Sequence, residues 1–123
     1  MKKLFIITVL LFGFAVQAQD KNAKATIEVD GVCFMCKTRI ERASLKTKGV
    51  KSAVWDINTH MLSLIYDGRK TDLDKIENNI AAVGHDTKRI TATEEAYNSV
   101  HECCRYRDEE IKKDHQKKDD SDN

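Results

Sequence analysis

The order of hydrophobic periods along residues 24–91 constrains the fold of this chain more than any other feature. Four short segments alternate apolar and polar residues, as half-buried strands do, and the alternation is weakest in the last of them. Two longer segments repeat apolar residues every three or four positions, as amphipathic helices do. In chain order, the apolar faces are Ala25, Ile27 and Val29; Ile40 and Ala43; Ala53, Trp55 and Ile57; Leu62, Leu64 and Tyr66; Leu73, Ile76, Ile80 and Val83; and the weak strand at residues 85–91.

This βαββαβ order predicts an α+β fold, namely a ferredoxin-like sandwich in which two helices cover one face of a four-stranded antiparallel sheet. Gly49 and Gly84 follow the two helical segments, where glycine often ends a helix. Thr71 is the predicted N-cap of the second helix. With 123 residues, the chain is long enough for one small domain and too short for two.

The N-terminal segment has the pattern of a cleaved signal peptide. Residues 1–18 begin with Lys2 and Lys3, continue with an apolar run over residues 4–15, and end in small residues at Ala18. The run is shorter than the ~20 residues that span a bilayer, so a membrane anchor is the less favoured alternative. We therefore expect cleavage after Ala18, a periplasmic or secreted mature protein, and no stable membrane insertion.

The remaining chain divides into three predicted parts. Residues 19–92 form the domain, residues 93–107 a cysteine-containing C-terminal helix with a capping box at Thr91 and Glu94, and residues 108–123 a disordered charged tail. Cleavage leaves 19 basic and 20 acidic residues. This near balance argues against nucleic acid as a partner, because nucleic-acid binding typically needs a basic face.

The four cysteines come as two close pairs, Cys33/Cys36 and Cys103/Cys104. A disulfide within either pair would stabilise little, because disulfide stabilisation grows with loop length. Cys33 and Cys36 lie where the first strand turns into the first helix, and a helix N-terminus favours thiolates. Two thiolates at this spacing favour a soft ion, with Cu(I) first and Zn(II) or Hg(II) as alternatives.

Residues 24–91 resemble a heavy-metal-associated domain, the module of copper chaperones, periplasmic mercury-binding proteins and metal-transporting P-type ATPases. The resemblance implies that Cys33 and Cys36 are the metal ligands. One departure is that only Val32 separates Gly31 from Cys33, so the loop is one residue shorter than the family pattern and lacks its methionine. The matching residues are Gly31 to Cys36 (GVCFMC), Ile40, Gly49-Val50 and Ala82-Val83-Gly84.

The resemblance implies a binding protein rather than an enzyme, which sequesters an ion or passes it to a metal-transporting ATPase or another metal-accepting protein. We expect a monomer or a metal-bridged dimer. Lys37, Arg39 and Arg42 lie beside the loop and favour an acidic partner surface. The main alternative is a thiol–disulfide redox protein that uses the same CxxC, although a chain without proline lacks the cis-proline of thioredoxins. A purely structural disulfide is a third alternative.

Four further residues are candidate auxiliary ligands. Cys103 and Cys104, with His101 nearby, either complete a thiolate-rich site with the first pair or form a vicinal or cross-linking disulfide. His85 follows Gly84, at the position where the family carries an aromatic residue or lysine beside the metal loop. It is either a third ligand or an exposed loop histidine.

Overall fold

The computed structural model describes residues 20–121. The signal peptide predicted at residues 1–18 lies outside the described residues and stays a prediction. Among the described helices, none combines the length and the apolar character needed to cross a bilayer. The elements in chain order are β1 (Ala23–Glu28), α1 (Phe34–Lys46), β2 (Val50–Trp55), β3 (Met61–Tyr66), α2 (Leu73–Ala82), α3 (Glu94–Asn98), a 3-10 turn (Glu102–Cys104) and α4 (Glu109–Ser121).

The sheet has three strands in the order β1-β3-β2, and both neighbouring pairs are antiparallel. Strands β2 and β3 form a hairpin whose register places Trp55 opposite Leu62. Asp56 stabilises its turn, because the carboxylate accepts the N–H groups of Asn58 at 2.8 Å and Thr59 at 2.9 Å. Buried side chains alternate along both strands, so one face of the sheet is apolar and packs against α1.

Helix α1 packs against β2 and α2, and both helices contribute apolar side chains to the common core. Asp72, rather than the predicted Thr71, caps α2, since its carboxylate accepts the Lys75 N–H at 2.9 Å. Gly84 follows α2 with a φ of 102°, a left-handed conformation that glycine adopts without strain. The resulting core includes Val29, Ile40, Trp55, Leu62, Leu64, Ile76 and Ile80.

The ferredoxin-like fold class is confirmed, but the strand predicted at residues 85–91 is reduced to a single bridge. Thr87 pairs with Val29 in an isolated antiparallel bridge, and no strand is formed in this part of the described chain. The chain turns there, because the Thr87 N–H donates to the Ile90 carbonyl oxygen at 2.9 Å. The Thr87 hydroxyl and the Arg89 guanidinium also bind the buried Glu77 carboxylate of α2. The Thr87 N–H is therefore used in a turn instead of a sheet hydrogen bond, and the nearby side chains bind α2.

The helical segment predicted at residues 93–107, which we call the extension, is present, but it is not a single helix. It consists of α3 and the 3-10 turn. Thr93 caps α3 by accepting the Ala96 N–H at 3.2 Å, so the capping box predicted at Thr91 is wrong. Helix α3 ends early because the Ser99 hydroxyl binds the Ala96 carbonyl oxygen at 2.6 Å, which competes with continuation of the helix.

Helix α4 occupies the segment for which the sequence predicts disorder. At the start of α4, the Asp108 carboxylate accepts the Glu110 N–H at 2.9 Å. Acidic residues also occupy the first turn, where the positive end of the helix dipole stabilises their negative charge. A ring nitrogen of His115 lies 3.0 Å from the Cys103 carbonyl oxygen and connects α4 to the extension. The sequence-based expectation rested on the lack of apolar surface and did not include these polar contacts.

Candidate metal centre

Cys33 and Cys36 lie at the N-terminus of α1. Cys33 is the N-cap residue, with an extended backbone and no capping hydrogen bond from its side chain. Its carbonyl oxygen accepts the Lys37 N–H at 3.0 Å, which closes the first turn. Cys36 lies within that turn, so the two sulfur atoms are 3.3 Å apart. Both side chains are buried free thiols.

Trp55 of β2 supports the loop from beneath. Its indole N–H donates to the Val29 carbonyl oxygen at 3.0 Å, and the side chain is 1% exposed. A Cβ atom at Gly31 would lie only 3.0 Å from both the Trp55 ring and the Cys36 Cβ atom. Glycine is therefore required where the shortened loop passes over the indole. The sequence places Trp55 on the buried face of its strand but gives no signal that it underlies the cysteines.

The extension brings the second thiol pair onto the first. The Cys104 sulfur lies 2.8 Å from that of Cys33, and the Cys103 sulfur lies 4.0 Å from Cys33 and 3.9 Å from Cys104. All four are free cysteines, so neither form of the alternative disulfide, vicinal or cross-linking, is present in this structure. The Met35 thioether sulfur lies 3.6 Å from the Cys103 sulfur and adds a fifth sulfur to the cluster.

Burial raises the pKa of the Cys104 thiol, and hydrogen bonds with Cys33 and Cys36 raise it further. The pKa of Cys103 is also raised, chiefly by burial, although its contact with Cys104 acts in the opposite direction. In the absence of metal, both thiols are therefore protonated at neutral pH. An ion that binds them must release their protons, so its affinity rises with pH.

The extension is held over the loop by polar contacts around Gly84 and Asp86. The buried Tyr106 hydroxyl donates to the Gly84 carbonyl oxygen at 2.6 Å and accepts the Asp86 N–H at 2.9 Å. The Arg107 guanidinium binds both carboxylate oxygens of Asp86, at 2.7 and 3.1 Å. No sequence pattern indicates the role of Tyr106, and none pairs Arg107 with Asp86 across 21 positions.

His85 is buried and is not the exposed loop histidine of the alternative prediction. Its Nδ1 atom lies 2.8 Å from the Asp30 carbonyl oxygen, and its ring stacks on Tyr106 at a centroid distance of 5.3 Å. Burial lowers the pKa of His85 to about 4, so the ring is neutral at physiological pH. Its Nε2 atom has no hydrogen-bond partner in the described part of the chain. A ligand role for His85 stays a prediction.

His101, the other auxiliary candidate, has a local structural contact. Its Nδ1 atom accepts the Cys103 N–H at 3.3 Å and so caps the 3-10 turn, while its side chain is exposed. A ligand role would require this ring to leave its capping position. That role also stays a prediction.

The donor set of this centre fits a soft metal ion. In the described chain, one group of three metal-ligating side chains has all its ligand atoms within 4.8 Å of one another, namely Cys33, Cys103 and Cys104. Cys36 adjoins this group through its 3.3 Å contact with Cys33. Thiolates favour Cu(I), Zn(II) and other thiophilic ions over hard cations. Closely placed thiols can also be oxidised to disulfides.

The fold and the cysteine cluster define a small α+β metal-binding module, and comparison with known proteins identifies its family. Residues 26–86 match the heavy-metal-associated domain. The structure of the CopZ metallochaperone is 27% identical, with a TM-score of 0.51 over 53% of this chain and 98% of that chain. Residues 26–86 are therefore a heavy-metal-associated domain.

Two other similarities support the fold and the sequence match. Oxidized MerP from Ralstonia metallidurans CH34 is 24% identical, with a TM-score of 0.52 over 55% of this chain and 94% of that chain. A copper-exporting P-type ATPase from Staphylococcus haemolyticus (strain JCSC1435) is 32% identical over 85 residues, which cover 68% of this chain. The match spans 10% of that ATPase, so the chain corresponds to a small part of such relatives.

Proposed function

We propose that this chain is an exported protein that binds Cu(I) between the thiolates of Cys33 and Cys36 and sequesters it or passes it to a partner. The observation that carries the proposal is the 3.3 Å approach of the two sulfurs at the N-terminus of α1, within a heavy-metal-associated domain. The two sulfurs therefore lie beside the positive end of the α1 dipole.

Copper is the favoured ion for two reasons. Thiolate ligands select Cu(I) over hard cations. The matched relatives also include copper-exporting ATPases and a metallochaperone. Zn(II) and Hg(II) are the alternatives, because both accept sulfur ligands and neither is excluded by the donor set.

Transfer would proceed by ligand exchange, in which a thiolate of the acceptor replaces one cysteine at a time. The surface beside the loop is suited to contact with a partner, because two large apolar side chains are exposed there, Phe34 at 73% and Met35 at 47%. Arg39 and Arg42 line the groove next to them. This combination favours an acidic partner, and a metal-transporting ATPase or a second copy bridged by the ion are the candidates. The Lys37 ammonium is less available to a partner, because it is paired with the Glu41 carboxylate and donates to the Trp55 carbonyl oxygen.

Export is supported by residues 1–18, whose basic start, short apolar run and small residues suit signal peptidase. Mass spectrometry of the protein recovered from the periplasm or the medium tests this part of the proposal. We expect a mature chain that begins at Gln19. Recovery of the intact chain from the cytoplasm would contradict it.

The redox alternative has one supporting observation, which is that Cys33 has a thiol partner at 3.3 Å and another at 2.8 Å. In such a reaction two thiols would lose two protons and two electrons to a substrate disulfide, whose sulfurs would leave as thiols.

Anaerobic titration of the reduced protein with Cu(I), Zn(II) and Hg(II) tests the proposal. We expect one tightly bound Cu(I) per wild-type chain and loss of tight binding in Cys33→Ser/Cys36→Ser. The Glu102→Gln variant is a matched control, because Glu102 is an exposed residue of the 3-10 turn. A reduced wild type that binds no ion tightly but reduces a model disulfide would support the redox alternative instead.

A further inference from the structure

We propose that the extension supplies a third thiolate ligand to the same ion through Cys104, with Cys103 beside it, and thereby closes the site to exchange. This inference rests on the proposed function, because it takes Cys33 and Cys36 as the primary ligands. It adds a specific consequence, which is that the chain retains its ion and releases it only when the extension moves away from the loop.

The sulfurs of Cys33, Cys103 and Cys104 have nearly the spacing of a three-sulfur site, and Cys36 adjoins them through its 3.3 Å contact with Cys33. Three ligands at a bond length of about 2.3 Å, typical of zinc–thiolate bonds, lie about 4.0 Å apart in a trigonal arrangement. Cys103 already lies 4.0 Å from Cys33 and 3.9 Å from Cys104. Cys33 and Cys104, at 2.8 Å, must separate by about 1.2 Å, which a change of side-chain rotamer can provide. The Cys33 sulfur contacts both the Cys36 sulfur and the Cys104 sulfur, so an ion bound to Cys33 lies near both of them.

The extension is built to stay over the loop. A Cβ atom at Gly84 would lie 2.6 Å from the Ala96 carbonyl oxygen and 2.7 Å from the Val100 side chain, so the extension packs directly on the end of α2. Val100, Cys104 and Tyr106 are all at least 96% buried. A segment that merely lay on the surface would not bury three side chains and a tyrosine hydroxyl with two hydrogen bonds.

The closed arrangement has a direct effect on transfer. Ligand exchange requires an incoming thiolate to reach the ion, and the position beside Cys33 is already occupied by the buried Cys104. The acceptor must therefore displace a ligand of the same chain, which is present at high effective concentration. This favours retention of the ion over rapid delivery.

X-ray absorption spectroscopy of the reduced, Cu(I)-loaded protein tests the ligand count. We expect at least three sulfur ligands in the wild type and in Glu102→Gln, and two in Cys103→Ser/Cys104→Ser. Where the double variant fails to fold, Cys104→Ala keeps the buried position apolar and serves in its place. Two sulfur ligands in both the wild type and the cysteine variants would overturn the proposal.

The rate of Cu(I) removal by a water-soluble chelator tests closure. We expect removal from Cys103→Ser/Cys104→Ser to be at least about tenfold faster than from the wild type, equivalent to about 1.4 kcal/mol. Tyr106→Phe keeps all four thiols but loses the two hydrogen bonds of the hydroxyl, and we expect an intermediate rate. Equal rates for all three proteins would overturn the claim that the extension restricts escape.

These outcomes separate the inference from the function on which it rests. If Cys33→Ser/Cys36→Ser abolishes tight binding while Cys103→Ser/Cys104→Ser changes neither the ligand count nor the release rate, the inference fails and the proposed function stands. If the reduced wild type binds no Cu(I) tightly, both fail.

Discussion

The loop at the start of α1 and the extension each contribute two cysteines, yet they are positioned by different kinds of interaction. Cys33 and Cys36 are placed by local structure, because a strand, a glycine and a helix N-terminus follow one another directly in sequence. Cys103 and Cys104 are placed by long-range contacts, chiefly those of Tyr106 and Arg107 with the end of α2. The first pair therefore depends on the domain alone, whereas the second depends on whether the extension stays docked.

This difference gives the two pairs different vulnerabilities. Disruption of the extension should leave the domain folded and the first pair intact, since the apolar core is formed mainly by the helices and the sheet. Disruption of the core should remove both pairs. Three substitutions test this distinction, in order of decreasing expected effect on the free energy of unfolding.

His85 joins the two regions, because it contacts the Asp30 carbonyl oxygen before the loop and the Tyr106 ring of the extension. Its pKa is about 4 in the folded protein and 6.5 when exposed, so only the unfolded chain gains a proton between these values. The contribution of neutral His85 to the free energy of unfolding is therefore full above pH 6.5, and it is lost as the pH falls toward 4. The loss amounts to about 3 kcal/mol in the metal-free protein.

Urea unfolding at several pH values compares the wild type with His85→Gln. The difference between the two proteins cancels the effects of the carboxylates, which titrate in both. We expect the wild type to lose stability more steeply than the variant as the pH falls below 6.5. Parallel curves for the two proteins would show that His85 is solvated rather than buried between the regions.

Gly84 and Gly49 provide a matched pair for the second prediction. Both have a φ near 100°, and a Cβ atom at either would meet a close neighbour, but only Gly84 contacts the extension. We expect each substitution by alanine to destabilise the domain by about 2 kcal/mol. Gly84→Ala should in addition accelerate removal of Cu(I), and Gly49→Ala should not. Equal release rates would mean that the contact of the extension with Gly84 does not control the site.

Arg107→Ala gives the smallest expected effect on stability. The guanidinium binds Asp86 and lies 4.3 Å from the Tyr97 ring centroid, but it is partly exposed, so its loss should cost about 1 kcal/mol. Arg107→Lys is the control, because it keeps the charge and loses the bidentate geometry. Hydrogen exchange should show faster opening of the extension and unchanged protection of β3. Faster exchange in both the extension and β3 would indicate that the extension and the domain unfold together.

Sequence reasoning succeeded where the determining contacts are local. Alternation correctly predicts the three strands β1, β2 and β3, and apolar repeats predict α1 and α2. The CxxC spacing predicts the approach of Cys33 to Cys36. These features follow from backbone periodicity and from caps within a few residues.

Sequence reasoning failed where long-range polar contacts decide the structure. The segment at residues 85–91 alternates weakly, but Thr87 and Arg89 bind the Glu77 carboxylate of α2 and the strand does not form. The extension breaks at Ser99, and the convergence of Cys104 on Cys33 depends on contacts of Tyr106 that no local pattern reveals.

Anomalous diffraction at the copper edge, from crystals of the reduced and Cu(I)-loaded protein, tests the central claim most directly. The account predicts one copper peak at a bonding distance of about 2.3 Å from the sulfurs of Cys33 and Cys36, with the Cys104 sulfur completing the coordination. A copper peak away from Cys33 and Cys36, or no peak where these two residues are reduced, would contradict it.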